Sequence, residues 1–509
     1  MTNNRFVLLC IAISLGLGIW ARAYFIAPAD FPLGDGSLFL QAMEDIQRNN
    51  YLPAASIHYN RIEIPLGYPP LGFYLALGAV QLTRLPEIVV ARWLPLAYNL
   101  LVIVAFVLLA AQWAGRRVTL LLASIIFPLI SWSYEWMIMV GGLTRGPAFL
   151  ATLLALLSCS RWGKTGKNAW LALGGLCAGL AGLSHPEWGL TALAGVSLLL
   201  LTTPQPLRRR LLALAGVNLL ALALVVPWYG LVIERHGLGP LNEARQTGGA
   251  GSLWDNFQIV LTGLPIDTYG LAPLVFLGVY YSFRRRFWFP AAWLAAIYIV
   301  TPRHARNPGS IPVAYLAAEG VTQLLDWLEA AASRWKPDSQ RLAPAIKAGL
   351  VALTLAYMLS QASTFHQYST IGAITPDQRT LMQWIKSNTP QKARFLLLTS
   401  QPEWGRDWAS EWFPYLTRRE SLLTMQGYEW VSREEFIRRN RLRYNLYNEY
   451  SNHRGELPGY ILENFPQADY LVVLLPDAAT ELQNFTSAPA FEPVYQQPDA
   501  IIYKIRTNP

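Results

Sequence analysis

Residues Pro28–Pro70 read PADFPLGDGSLFLQAMEDIQRNNYLPAASIHYNRIEIPLGYPP and follow directly on an apolar run, Phe6 to Ile26, long enough to cross a bilayer. The stretch carries Asp30, Asp35, Glu44, Asp45, Arg61 and Glu63. A polar connection of this length between two hydrophobic helices is either functional or disordered. Disorder does not fit, because Phe31, Leu38, Phe39, Tyr51, Ile57, Tyr59 and Ile62 supply apolar mass to bury. The stretch reads as a structured cap at the membrane surface that presents Asp35 to a reaction.

Outward from this cap, the 509-residue chain is 53% hydrophobic and only 14% charged. Soluble proteins average about 25% charged. Apolar runs near the spanning length of about 20 residues recur to about Gln361 and then stop. The expectation is a polytopic α-helical membrane module, residues 1–363, followed by a soluble α/β domain, residues 364–509, with residues 28–87 as an outer-face loop with juxtamembrane helices. Cys10, Cys159 and Cys177 all fall in membrane helices and offer neither a disulfide framework nor metal spacing. The net charge of +9 sits mainly in short loops between helices, so it reports topology and not nucleic-acid binding. The first helix lacks a small-residue cleavage site and is read as a retained span.

The basic clusters Arg116-Arg117, Arg161 to Lys167, Arg208 to Arg210, Arg284 to Arg286 and Arg334 to Arg341 are expected to face the cytoplasm. Placing them there predicts about 11 spans: 6–26, 88–113, 118–140, 145–160, 169–184, 188–203, 211–230, 268–282, 287–301, 311–330 and 343–361. The N-terminus is then cytoplasmic and the C-terminal domain extracytoplasmic. Leu71 to Leu85 is short, and counting it as a span would invert every later cluster, so it is read as lying on the outer leaflet. In the soluble domain the patterns predict a helix at 377–387 capped by Thr375, a strand at 394–399, a helix at 434–450, a buried strand at 470–475 and a hairpin over 494–505. No Gly-rich phosphate loop and no triad appear there. Asn484-Phe485-Thr486 matches a glycosylation sequon by chance composition.

Ionisable groups near a membrane are costly, so their placement carries information. Asp35, Glu63, Glu135, Arg145, His185, Glu187, Arg303, His304 and Arg306 all come from different outer loops or outer helix ends. A bundle brings such ends together around one wet pocket. Asp35, in Leu33-Gly-Asp-Gly36, reads as a general base or as the N-cap of a helix from Ser37 to Gln47. Arg303-His304-Ala305-Arg306 stands outside against the usual charge bias and reads as a phosphate clamp or a headgroup anchor, and Arg145 carries the same two readings. His185-Pro186-Glu187-Trp188 reads as a substrate-positioning turn or an aromatic-belt turn. Tyr68 points into the pocket or sits at the interface; Trp132, Trp136, Trp228 and Trp254 read as belt residues. No cofactor is demanded, and a divalent metal has only weak support, since these acids and imidazoles lack diagnostic spacing.

The order of these pieces is a first span, Gly34-Asp35-Gly36, a helix, the Tyr68-Pro-Pro-Leu-Gly72 start and Arg92 before the second span. It resembles the GT-C superfamily of membrane glycosyltransferases, most of all the branch with protein O-mannosyltransferases and the bacterial aminoarabinose transferase of lipid A. The resemblance covers the membrane portion, best over residues 1–160. It implies transfer of a sugar from a polyprenyl-phosphate carrier to a lipid, glycan or protein acceptor, on the outer side of the inner membrane and with inversion at the anomeric carbon. The aspartate matching Asp35 is then the base. Relatives often carry Lys or His where this chain has Tyr68, so phosphate binding is expected to move to Arg61, Arg303 or Arg306. Gly36 stands where many relatives have a second acid, which weakens the case for a metal at Asp35. The rival readings are a transporter or flippase for a lipid-linked solute, and a non-catalytic envelope assembly protein. The transporter predicts inverted repeats, which the sequence does not show.

Overall fold

The computed structural model describes residues 4–247, 270–335, 343–475, 485 and 488–506. Each of the eleven apolar runs forms a helix. The first nine helices of the chain include seven of them: α1 (Asn4–Ile26), α4 (Glu87–Trp113), α5 (Arg117–Leu129), α6 (Gly142–Thr165), α7 (Asn168–Ser184), α8 (Pro186–Thr202) and α9 (Leu207–His236). The others are Ala272–Arg284, Phe289–Val300, Arg306–Trp335 and Ala343–Tyr368. Five are long and apolar enough to cross a membrane by length and composition: α1, α4, α6, α9 and Pro344–Tyr368.

The expected span 118–140 ends early. Helix α5 stops at Leu129, where Pro128 withholds a backbone donor from the last turn. The chain then runs as an irregular buried segment to Gly141. It is tied down by Asn99 Nδ2 donating to the Ser133 carbonyl (2.8 Å) and Asn307 Nδ2 donating to the Trp132 carbonyl (2.8 Å). Non-helical backbone at this depth is tolerated because protein groups satisfy it. Trp132 and Trp228 are buried and so are not belt residues, whereas Trp136 is only partly covered. Trp254, the Asn484-Phe485-Thr486 sequon and most of the basic stretch Arg334 to Arg341 fall wholly or partly outside the described residues.

The cap between α1 and α4 is fully structured. It contains α2 (Ser37–Arg48), the hairpin β1 (Ser56–Tyr59) and β2 (Ile62–Pro65), and α3 (Leu71–Thr83). Asn60 and Arg61, both at positive φ (49° and 60°), form the tight turn of the hairpin. Helix α3, 13 residues and so about 20 Å long, packs on α4 and α6 and is shorter than the roughly 30 Å hydrocarbon layer.

Beyond Tyr368 lies a five-stranded mixed sheet in the order β4-β3-β5-β7-β6. Its strands are β3 (Arg394–Thr399), β4 (Glu420–Ser421), β5 (Tyr470–Leu474), β6 (Phe491–Gln497) and β7 (Ala500–Ile505). Strand β3 runs parallel to β4 and β5, and β7 is antiparallel to β5 and β6. The helix Pro376–Asn388 has a full capping box, Thr375 with Gln378. The sequence reading did not include the helix Trp408–Thr417, strand β4 or the helix Leu457–Asn464.

This domain, called outer after its expected topology, does not stand apart from the cap. One apolar core joins Phe31, Leu38, Ile57, Tyr59 and Ile64 of the cap to Phe395, Trp412, Phe413 and Val472 of the sheet layer. Asn60 pairs with Ser421 through both main-chain groups: Nδ2 donates to its carbonyl (2.9 Å) and Oδ1 accepts from its amide (2.7 Å).

Inside the bundle, Arg22 of α1 is fully buried and has no carboxylate partner among its described contacts. It donates to the Gly18 carbonyl (3.0 Å), the Pro128 carbonyl (2.9 Å), Ser133 Oγ (3.2 Å) and Asn99 Oδ1, and lies 4.6 Å over the Tyr134 ring. It thus welds α1, α4 and the broken end of α5. Arg22→Ala should lower stability by about 3 kcal/mol, since it orphans several buried acceptors at once. Reversible SDS unfolding of the chain in micelles or nanodiscs would read the change.

Candidate active site

Asp35 sits in a backbone cradle that requires its glycines. Gly34 has φ +71°, and a Cβ there would come within 2.8 Å of Met139 Sδ. A Cβ on Gly36 would lie 2.4 Å from Val140 Cβ. The Gly34 amide donates to the Gly372 carbonyl (2.8 Å), Trp412 Nε1 donates to the Gly34 carbonyl (2.8 Å), and the Val140 amide donates to the Leu33 carbonyl (3.1 Å). The cap, the irregular 130–141 segment and the outer domain therefore close on one residue. Asp35 is not the helix cap: Gly36 occupies the N-cap position of α2, and no side chain caps it. The carboxylate is left for other work.

Asp35 keeps partial solvent access. Gln426 Nε2 donates to its Oδ2 (3.3 Å), while Oδ1 is buried with no hydrogen-bond partner. Burial raises its pKa above the ordinary carboxylate value, and the Arg145 guanidinium opposes the rise.

Arg145 stands in the first turn of α6, 5.6 Å over the Trp136 ring. Its charge also acts on Tyr68, His185 and His304. Tyr68 Oη lies 3.1 Å from Thr144 Oγ1, and its ring packs edge-on to Phe39, His185 and Trp430. It faces inward and is not an interface tyrosine. His185 and His304 meet edge to face at 6.0 Å, and His304 Nε2 is 3.0 Å from Glu187 Oε2. Burial first, then Arg145 and Arg303, pushes the His304 pKa well below its usual value, so the ring is neutral near pH 7. Arg303 is exposed at the rim, and its field reaches His185, Glu187 and Glu429.

Two acids beside Asp35 come from the outer domain and escaped the sequence reading. Glu411 is buried, and Oε2 has no partner. Burial, then the Asp35, Glu429 and Asp407 charges, raises its pKa well above the carboxylate range. Glu429 is pushed up to about 7, chiefly by burial. A lone Glu inside the aromatic runs Trp408–Thr417 and Tyr428–Trp430 was the available signal, since an acid amid aromatics must be buried for a reason.

Not every expected residue joins this group. Arg61 turns toward the outer domain, donating to the Lys392 carbonyl (3.2 Å) and the Gln391 carbonyl, and lies 3.5 Å from Glu420. Glu63 is exposed beside His58 (3.8 Å). Glu135 and Arg306 form a separate neighbourhood: Arg306 lies 5.8 Å over the Trp132 ring, and its charge acts on Glu135 together with that of Arg406. Among the described residues, no three His, Cys, Asp or Glu side chains group so as to hold a metal ion.

No protein-family model matches the sequence, and no curated relative does. Solved structures do. ArnT from Cupriavidus metallidurans, bound to undecaprenyl phosphate, is similar at TM-score 0.54 and 14% identity, over 99% of this chain and 98% of that one. The oligosaccharyltransferase AglB from Archaeoglobus fulgidus, with an inhibitory peptide and dolichol-phosphate, is similar at 0.54 and 14%, over 98% and 74%. The arabinofuranosyltransferase AftD from Mycobacteria is similar at 0.54 and 16%, over 100% of this chain and 40% of that one. The chain carries the fold of the GT-C superfamily of membrane glycosyltransferases.

Proposed function

We propose that this chain is a glycosyltransferase that moves a sugar from a polyprenyl-phosphate carrier to an acceptor at the outer face of the membrane, with inversion. The carrying observation is the state of Asp35. It is partly accessible, one oxygen is held and the other is bare, and Arg145 is the cation that balances it. A carboxylate so placed is a general base in waiting. The carrier-lipid phosphates bound by the ArnT and AglB structures support the donor class.

In this reading the acceptor hydroxyl or amine attacks the anomeric carbon and gives its proton to the Asp35 carboxylate. The bond from that carbon to the carrier phosphate breaks, and its electron pair leaves with the phosphate. Arg303 at the rim and Arg145 within stabilise the leaving charge, Arg303 by the forked geometry guanidinium offers phosphate. Arg306, apart from this group over Trp132, takes no part in the clamp. Neutral His185 and His304, with Glu187, offer hydrogen bonds to sugar hydroxyls without adding charge that would compete for the phosphate. Tyr68 and Trp430 supply the aromatic wall. The remaining partners are the bilayer and an acceptor whose class the site does not single out.

Asp35→Asn should leave the fold intact and cut transfer by about 1,000-fold or more, the scale of losing a general base and its charge together. Mass spectrometry of envelope glycans in a deletion strain complemented with the variant reads this; product at the wild-type level would remove Asp35 from the mechanism. Arg303→Ala should weaken binding of undecaprenyl phosphate by about tenfold, measured on the purified chain by lipid titration. The base must be deprotonated to act, and burial raises its pKa, so the rate should fall with acid at a midpoint above the ordinary aspartate value of about 4. An acid limb at or below that value would contradict the burial seen here.

A further inference from the structure

The outer domain does more at Asp35 than cover it. Gln426 lies in the segment after β4, buried between the cap and the helix Trp408–Thr417. Its backbone is pinned on both sides. Thr424 Oγ1 donates to the Ser410 carbonyl (2.8 Å), and Gly427, at φ +96°, turns so close to the cap that a Cβ would meet Ile64 Cδ1 at 2.1 Å. Its amide is also fixed in direction. Ser37 Oγ lies 3.2 Å from Gln426 Oε1 and is the donor of that bond. The Ser37 hydroxyl has one hydrogen to share between this oxygen and the Glu411 carbonyl at 2.5 Å, to which Tyr59 Oη also donates. The other end, Nε2, then faces Oδ2 of Asp35 at 3.3 Å. A flipped amide would set Oε1 against Oδ2 of Asp35, oxygen against oxygen.

We propose that Gln426 is a positioning residue for the base: its amide tethers Oδ2 of Asp35 and so fixes the orientation of the carboxylate. This rests on the base role given to Asp35 above, and it assigns the outer domain a part in the reaction centre. The charged and titratable groups facing Asp35 are Arg145 from α6, Glu411 and Glu429 from the outer domain, and Tyr59 and Tyr68 from the cap. Of these only Arg145 favours the ionised carboxylate. Gln426 is the neutral donor that adds to it, because a hydrogen bond given to the charged form stabilises that form. Burial pushes the other way, and the tether joins Arg145 in opposing it.

Difference infrared titration of the full chain in nanodiscs, wild type against Asp35→Asn, isolates the Asp35 carboxyl without any substrate. Gln426→Met removes the donor at similar volume and should move that titration up by about one pH unit. Gln426→Glu places a second carboxyl on the same oxygen and should move it further. Asn60→Ala loosens the outer domain at Ser421, away from Asp35, and should leave the titration where it is in wild type. An unmoved titration in Gln426→Met overturns the proposal. So does an equal shift in Asn60→Ala, which would reduce Gln426 to a docking contact. If Gln426→Met does not fold, Gln426→Glu decides alone, and no rise relative to wild type counts against the tether. Because the readout needs no turnover, the tether and the transferase reading can fail independently.

Discussion

A single apolar core shared by the cap and the outer domain holds this site together. Phe31, Leu38, Tyr59 and Ile64 on one side and Phe395, Trp412 and Phe413 on the other are buried against each other, not against lipid. Burying each such side chain contributes about 1.5–3 kcal/mol, which is enough to press polar main chain together at the seam. Gly34 is bonded from both sides there, by the Gly372 carbonyl and the Trp412 indole. The backbone of the residue next to it, Asp35, is therefore placed by packing at a distance, and its side chain is held by Gln426.

That placement explains the electrostatics. A carboxylate moved out of water reverts to its neutral form unless charge or donors hold it ionised. At this seam burial raises three acids, Asp35, Glu411 and Glu429; the Asp35 charge adds to the rise of the other two, and one guanidinium, Arg145, opposes the rise of Asp35. Burial drives Glu411 well above the carboxylate range and Glu429 up to about 7, so the cluster is pushed toward less charge than its composition suggests. On the other side burial, with Arg145 and Arg303 adding to it, depresses His304 and keeps it neutral. The site is divided into an acidic wall from cap and outer domain and a basic wall from helix ends, which suits a reaction that takes up a proton on one side and releases a phosphate on the other.

The broken helix α5 belongs to the same design. Pro128 ends it, and the irregular segment to Gly141 carries Glu135 and Trp136 toward the outer end and lets Met139 and Val140 press on the two glycines beside Asp35. A continuous helix over 118–140 would have run Met139 and Val140 past the cap. The sequence pattern predicted such a helix because apolar periodicity does not record where buried side chains, here Asn99 and Asn307, take over the backbone bonds.

What the chain alone determined was the class of architecture and the ingredients: apolar runs of spanning length must be helices in lipid, and a polar cap rich in Phe, Tyr and Ile must fold. It also marked Asp35, Arg145, His185, Glu187, Arg303 and His304 as groups from separate outer ends. Only the tertiary structure decided which of them meet, because side chains far apart in sequence become neighbours through packing that no local pattern encodes. It turned Arg61 and Glu63 away, turned Tyr68 inward, and brought Glu411, Gln426 and Glu429 from nearly four hundred residues downstream to the carboxylate they adjoin.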